Sequence, residues 1–332
     1  MGGPGPLIVA PSEQLDLGSA GLRGVPRRLF SCTPTRLTTW SDCPRKYRFT
    51  YLDRPPPPKG PPWAHNAFGS SVHNALRAWY DQPAAGRDPA AAGGLVQRAW
   101  VGDGYRDAAQ ELAARASAEA MVGEYVRTLA PAGDPRGVER TVAFRTDRLA
   151  ASGRVDRIDE RPSRSAGART ELVVVDYKTG RRPPGPGEAR GSLALALYVL
   201  GARRTLRVSC TRVELHHVPS GAVAAWDHTD ESLERHLRRA HAIADEAQAA
   251  DEQHASAGPA GTADGLADRL YPARPGSLCG WCDFVRQCPQ GLATARPREP
   301  WDGLAAGPAT AGGPGGPVGG DESDEWGATG RP

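Results

Sequence analysis

The amino-acid sequence predicts an α/β fold, a β-sheet covered by helices, and three observations carry that expectation. Apolar positions in the first third of the chain recur at helical spacing. The period then drops to two across residues 140–178. An all-round apolar helix, two more strands and an amphipathic helix follow, an order that suits a sheet with helical cover.

Taken in order, residues 33–52, TPTRLTTWSDCPRKYRFTYL, open on Ser/Thr and place Leu37, Trp40, Tyr47 and Tyr51 at helical spacing before PPPPKGPP, so one helix is expected there. FGSSVHNALRAWY, residues 68–80, predicts a second helix, and residues 105–129 a third, with Val122, Val126 and Leu129 along one stripe. Residues 140–146, 149–159 and 171–178 read as three strands of a meander, the last two joined through the turn-rich RPSRSAGART. SLALALYVLGA is apolar all round and predicts a helix buried against the sheet. Strands near 206–218 and 222–226 follow, then a helix from about Asp230 with Leu233, Leu237, Ala240 and Ile243 on one face.

Only Lys46, Lys59 and Lys178 are lysines among 41 basic residues, and the net charge is +3. With so much Ala, Gly and Pro, the arginine excess is a compositional bias and does not by itself indicate nucleic-acid binding. The expected organisation is a flexible stretch over 1–26, one folded domain over 27–292, and a disordered Gly/Pro-rich tail over 293–332 tipped by the acidic DESDEW. No cationic leader and no apolar run of about 20 residues is found, so a cytoplasmic protein away from membranes is expected. GxxxxGK[ST] is absent, which excludes a nucleotide-driven motor in this sequence. Six cysteines in a reducing compartment point to metal binding or burial rather than disulfides.

The rare Lys178 lies in ELVVVDYKTG. In a strand Val174, Asp176 and Lys178 share one face, while Val173, Val175 and Tyr177 share the other. An antiparallel hairpin of GRVDRIDE and ELVVVDYK, centred near residue 166, sets Asp156 opposite Asp176. Two adjacent carboxylates repel unless a cation lies between them, and Mg²⁺ or Mn²⁺ suits such oxygen ligands. Lys178 would then orient a water and offset charge growing on phosphorus. The tripeptide alone also fits an exposed ion pair. His73 borders the apolar stripe of its helix, as either a core residue or a nitrogen ligand.

SLCGWCDFVRQCP places Cys279, Cys282 and Cys288 in a C-x2-C-x5-C pattern, which needs a fourth ligand. Cys43, in DCP, shares the following proline with Cys288 and is the first choice; Cys32 is the reserve. An iron–sulfur cluster and Zn²⁺ both accept four thiolates. Cys210 reads as a core residue.

Together, TPTRLTTWSDCPRKYRFTYL, FGSSVHNAL, GRVDRID, VVVDYKTG, LALALYVLG and CGWCDFVRQC resemble the RecB-type nucleases of the PD-(D/E)xK superfamily, in the iron–sulfur branch that includes exonuclease V and CRISPR-associated adaptation nucleases. The resemblance covers residues 31–291. It implies a restriction-endonuclease-like mixed sheet flanked by helices, with an iron–sulfur-stapled region joining the two ends. It also implies His73, Asp156, Asp176 and the Tyr177 backbone carbonyl as ligands of Mg²⁺ or Mn²⁺, with Lys178 as the catalytic lysine. Cys43, Cys279, Cys282 and Cys288 would hold a [4Fe-4S] cluster. The expected activity is a DNA exonuclease on single strands in repair or recombination, with a helicase or other repair proteins as partners; the alternative is a catalytically weak iron–sulfur DNA-binding module. Arg36, Arg45, Lys46, Arg48, Arg181, Arg182, Arg190 and Tyr198 are the candidate DNA contacts, whereas Trp40 and Tyr47 are expected in the core. One departure stands out: Ala194 occupies the place, four residues before Tyr198, where the family usually carries glutamine.

Overall fold

The computed structural model describes residues 29–129, 134–163, 169–261 and 265–304. The expected flexible start and the acidic tip lie outside these residues.

A short strand β1 (Phe30–Cys32) leads into α1 (Pro34–Asp42), whose N-cap Thr33 accepts from the Arg36 backbone N–H at 3.1 Å. The single helix expected over 33–52 is corrected to two, because α2 (Pro44–Tyr51) starts afresh after Cys43. Pro44 lacks an N–H and disfavours helical geometry in the residue before it, so Cys43 is extended at φ −163° and ψ 109°. Three helices follow: α3 (Ala64–Asp81), α4 (Gly93–Ala99) and α5 (Ala108–Thr128).

The meander is present as β2 (Gly137–Arg145), β3 (Leu149–Pro162) and β4 (Thr170–Lys178). After it come α6 (Pro186–Gly191), α7 (Leu193–Leu206), β5 (Cys210–His217), β6 (Ala222–Asp227) and α8 (Asp230–Gly261), which kinks at Gly258. Two short helices, α9 (Leu266–Leu270) and α10 (Pro289–Thr294), complete the fold.

The six strands form one mixed sheet ordered β1-β3-β4-β5-β6, with β2 on the other edge of β3. β1 runs parallel to β3 and β4 parallel to β5, the latter pair joined through α6 and α7. The other pairings are antiparallel. Val173, Val175 and Tyr177 pack against Val72, Leu76 and Trp79 of α3 and Val122 of α5. On the opposite face Val174 and Val213 meet Leu195, Val199 and Ala202 of α7. Strand alternation thus divides the apolar residues between two helical layers. A third cluster joins Trp40, Tyr47 and Tyr271 to Leu149 and to Ile243 and Ala247 of α8, which puts Trp40 and Tyr47 in the core as expected.

Packed chain continues past the boundary expected at residue 292. The Ala64 N–H donates to the Pro300 carbonyl at 2.9 Å, and Arg298 lies 4.0 Å over the Trp281 ring. Among the described residues no helix is long and apolar enough to cross a membrane.

Candidate active site and cysteine centre

The β3–β4 ladder has the expected register, and its last backbone pair is Arg157 with Val175. Beyond that pair a side chain takes over the next hydrogen bond: the Tyr177 N–H donates to Asp156 Oδ2 at 2.8 Å. Asp156 and Asp176 therefore come together where the two strands part. Lys178 Nζ lies 2.6 Å from Asp176 Oδ2, as expected for residues two apart on one strand face. α3 brings His73 Nδ1 to 3.5 Å from Asp156 Oδ1, beside the carboxylates rather than in the apolar core. Its ring also meets Tyr177 edge-on at 5.7 Å.

The charges are interdependent. Burial raises the Asp176 pKa, Lys178 pulls it down, and Asp156 pushes it up again. Burial opposes the Lys178 ammonium, but Asp176 and Asp156 outweigh it and lift its pKa. Burial likewise disfavours the charged His73 ring, yet Asp156 and Asp176 raise its pKa. A half-buried carboxylate pair, flanked by His73 and Lys178, could hold a hard divalent ion.

Sequence reasoning missed one acid. Glu139 on β2 has a carboxylate oxygen that lies, with one from Asp156 and a His73 ring nitrogen, in a group whose atoms are all within 4.8 Å of one another. The expected strand began at residue 140, three positions after the observed start at Gly137, and so left out Glu139, which the β2–β3 register sets beside Asp156. Tyr198 of α7 sits against the same acids, and burial with the charges of Asp176, Asp156 and Glu139 raises its pKa to about 12. β3 carries Gly153 beneath that ring, where an added Cβ would meet Tyr198 Cε1 at 2.4 Å.

The basic candidates divide in two. Arg36, Arg45 and Arg48 are engaged by side chains of the fold. Arg36 bonds the Tyr47 hydroxyl at 2.5 Å and Asp251 at 3.3 Å; Arg45 bonds Gln290 at 2.8 Å and Asp268 at 3.2 Å; Arg48 lies 3.3 Å from Asp53. Arg181, Arg182 and Arg190 are exposed. Arg181 donates to the Leu304 carbonyl at 3.3 Å, Arg182 lies 3.4 Å from Glu188, and Arg190 covers Trp226.

Cys43, Cys279, Cys282 and Cys288 line one cavity of about 70 Å³, with Arg45, Lys46 and Arg274 also in its walls. Cys43 and Cys288 each stand in extended backbone just before a proline that opens a helix, α2 and α10. The Gly291 N–H donates to Cys288 Sγ at 3.3 Å. Burial raises the Cys282 pKa, against the pull of the Phe284 backbone and Lys46. The four cysteines thus share one cavity whose walls also carry cations. Cys32 lies instead in β1, and Cys210 is fully buried in the sheet core.

No curated protein sequence matches the chain. Among solved structures, the crystal structure of a candidate exonuclease from Eubacterium rectale is similar at 8% identity and a TM-score of 0.40, over 77% of this chain and 86% of that one. A profile of the PD-(D/E)XK nuclease superfamily matches residues 31–289. That match spans well over half of the chain and includes Asp156, Asp176, Lys178 and His73, and so this protein belongs to the PD-(D/E)XK nuclease superfamily.

Proposed function

We propose that this protein is a Mg²⁺- or Mn²⁺-dependent DNA exonuclease that hydrolyses phosphodiester bonds, acts on single strands and works in repair or recombination beside a helicase or another repair protein. The observation that carries the reading is the meeting of Asp156, Asp176, Lys178 and His73 where β3 and β4 separate. His73, Asp156, Asp176 and the Tyr177 carbonyl would hold the cation, whose chemistry is to polarise the phosphate and lower the pKa of water. Lys178 orients the attacking water and offsets the negative charge that grows on the phosphate. Tyr177 fixes the Asp156 carboxylate through its N–H. Arg181, Arg182, Arg190 and Tyr198 are the DNA contacts of this reading, with Lys46 further along the surface.

The four cysteines would hold a [4Fe-4S] cluster in a structural role; Zn²⁺ is the alternative occupant. An anaerobically purified protein that is brown supports the cluster, and a colourless one carrying zinc opposes it.

The main test incubates the purified protein with end-labelled single-stranded DNA and Mn²⁺, blocking each end in turn. Loss of label by wild type, abolished in Lys178→Ala and stopped by one blocked end, is the expected result. No degradation by wild type rejects the nuclease reading and leaves a DNA-binding module, the outcome that Ala194 in the glutamine position would favour.

A further inference from the structure

Resting on the cation-dependent reading above, we propose that Glu139 is a further ligand of the divalent cation, acting together with His73 and Asp156. Val138 pairs with Arg157 and Arg140 with Val155, so Glu139 falls directly opposite Asp156, while Asp156 falls in turn opposite Asp176 in the register of β3 and β4. Three carboxylates thus stand in a row across three neighbouring strands. Like charges in directly opposed positions destabilise a sheet, and the row is tolerable only where positive charge is interleaved with it. The cations present are few: Arg154 reaches Glu139 at 2.5 Å, His73 stands 3.5 Å from Asp156, and Lys178 contacts Asp176 at 2.6 Å.

The backbone makes the same point independently. Glu139 has φ +47°, a left-handed conformation that a non-glycine residue in a strand adopts only at a cost. Its neighbours on both sides keep the ladder pairing, so the strain is local to this one residue. The result is a carboxylate oxygen within 4.8 Å of the donor atoms of His73 and Asp156, a spacing that one divalent ion can bridge. Arg154 competes for the same carboxylate.

Mn²⁺ binding to the full-length protein, followed by the loss of the free-ion electron paramagnetic resonance signal, tests the proposal without reference to cleavage. Glu139→Gln is expected to weaken Mn²⁺ binding by about tenfold or more, as loss of a metal-site partner does. Glu139→Asp, which keeps the charge but shortens the reach, should also bind more weakly than wild type. Arg154→Gln should bind at least as tightly as wild type. Circular dichroism melting keeps the comparison to variants that remain folded. The proposal is overturned if Glu139→Gln binds as wild type does while Asp156→Asn loses binding, a result that leaves the nuclease reading standing. It is also overturned if Glu139→Asp matches wild type, because the carboxylate then acts only through its field. Absence of binding by wild type would bring down both readings.

Discussion

At the scale of single residues, the proposed chemistry turns on Lys178 and the site's shape on Gly153. The ammonium of Lys178 is held by Asp176 at one end of β4, and its absence leaves the carboxylates in place. Lys178→Ala is therefore expected to retain Mn²⁺ binding while cleavage falls by about 10²-fold or more, the usual effect of losing one preorganised donor. A single-turnover assay with bound Mn²⁺ checks this; loss of binding along with cleavage would assign Lys178 to cation retention instead. Gly153 works by having no side chain. An added methyl group would meet Tyr198 Cε1 at 2.4 Å and Pro34 Cδ at 3.2 Å. Gly153→Ala should push Tyr198 away from the acids and lower stability by about 1–3 kcal/mol, read by urea unfolding.

Element by element, the site depends on a polar network beneath the catalytic strands. Arg157, buried in β3, donates to the hydroxyls of Tyr80 at 2.9 Å and Tyr177 at 3.2 Å and contacts Asp159. Arg161 then links Asp159 to Glu214 of β5, which also accepts from Arg212 and pairs with His216. The network ties the α3 face of β3, β4 and β5 together one residue away from the acids. Burial works against the Glu214 carboxylate, but hydrogen bonds from His216, Arg161 and Arg212 outweigh it and hold its pKa far below the ordinary value. Its contribution is thus complete above the unfolded-state pKa of about 4.3 and is lost as pH falls from there toward the depressed native value. Glu214→Gln should cost about 3 kcal/mol at neutral pH, as breaking a buried ion pair does. The gap to wild type should begin to narrow below roughly pH 4, and a gap that stays constant down to pH 3 would contradict this assignment.

For the whole molecule, the cysteine cavity joins sequence ends that are far apart. Cys43 follows α1, whereas Cys279, Cys282 and Cys288 come after α9, so a group held by all four would close most of the folded chain into a loop. From Cys288 the chain runs through α10 and over Trp281 to the start of α3, the helix that carries His73, and passes beside Arg181 at Leu304. Cys43→Ser and Cys279→Ser should each lower the melting temperature and remove the colour or bound metal of the purified protein. Equal melting temperatures for wild type and both variants would show that helix packing alone holds the two ends together.

Much of this could be read from the order of amino acids, because strand alternation and helix periodicity are local properties. The meander, the β3–β4 register and the apolar α7 all follow from spacing. Other features have no local signal. β1 is three residues long and exists only because β3 offers it an edge. The partners of Arg36, Arg45 and Arg48, namely Asp251, Asp268 and Asp53, are supplied only by the fold. Glu139 adopts a backbone angle that no propensity scale favours, and its place opposite Asp156 emerges only when β2 and β3 are zipped together. Periodicity assigns each side chain to a face, but partners distant in sequence settle what that side chain does there, since charge pairing and cation geometry depend on distances that chain neighbours do not control.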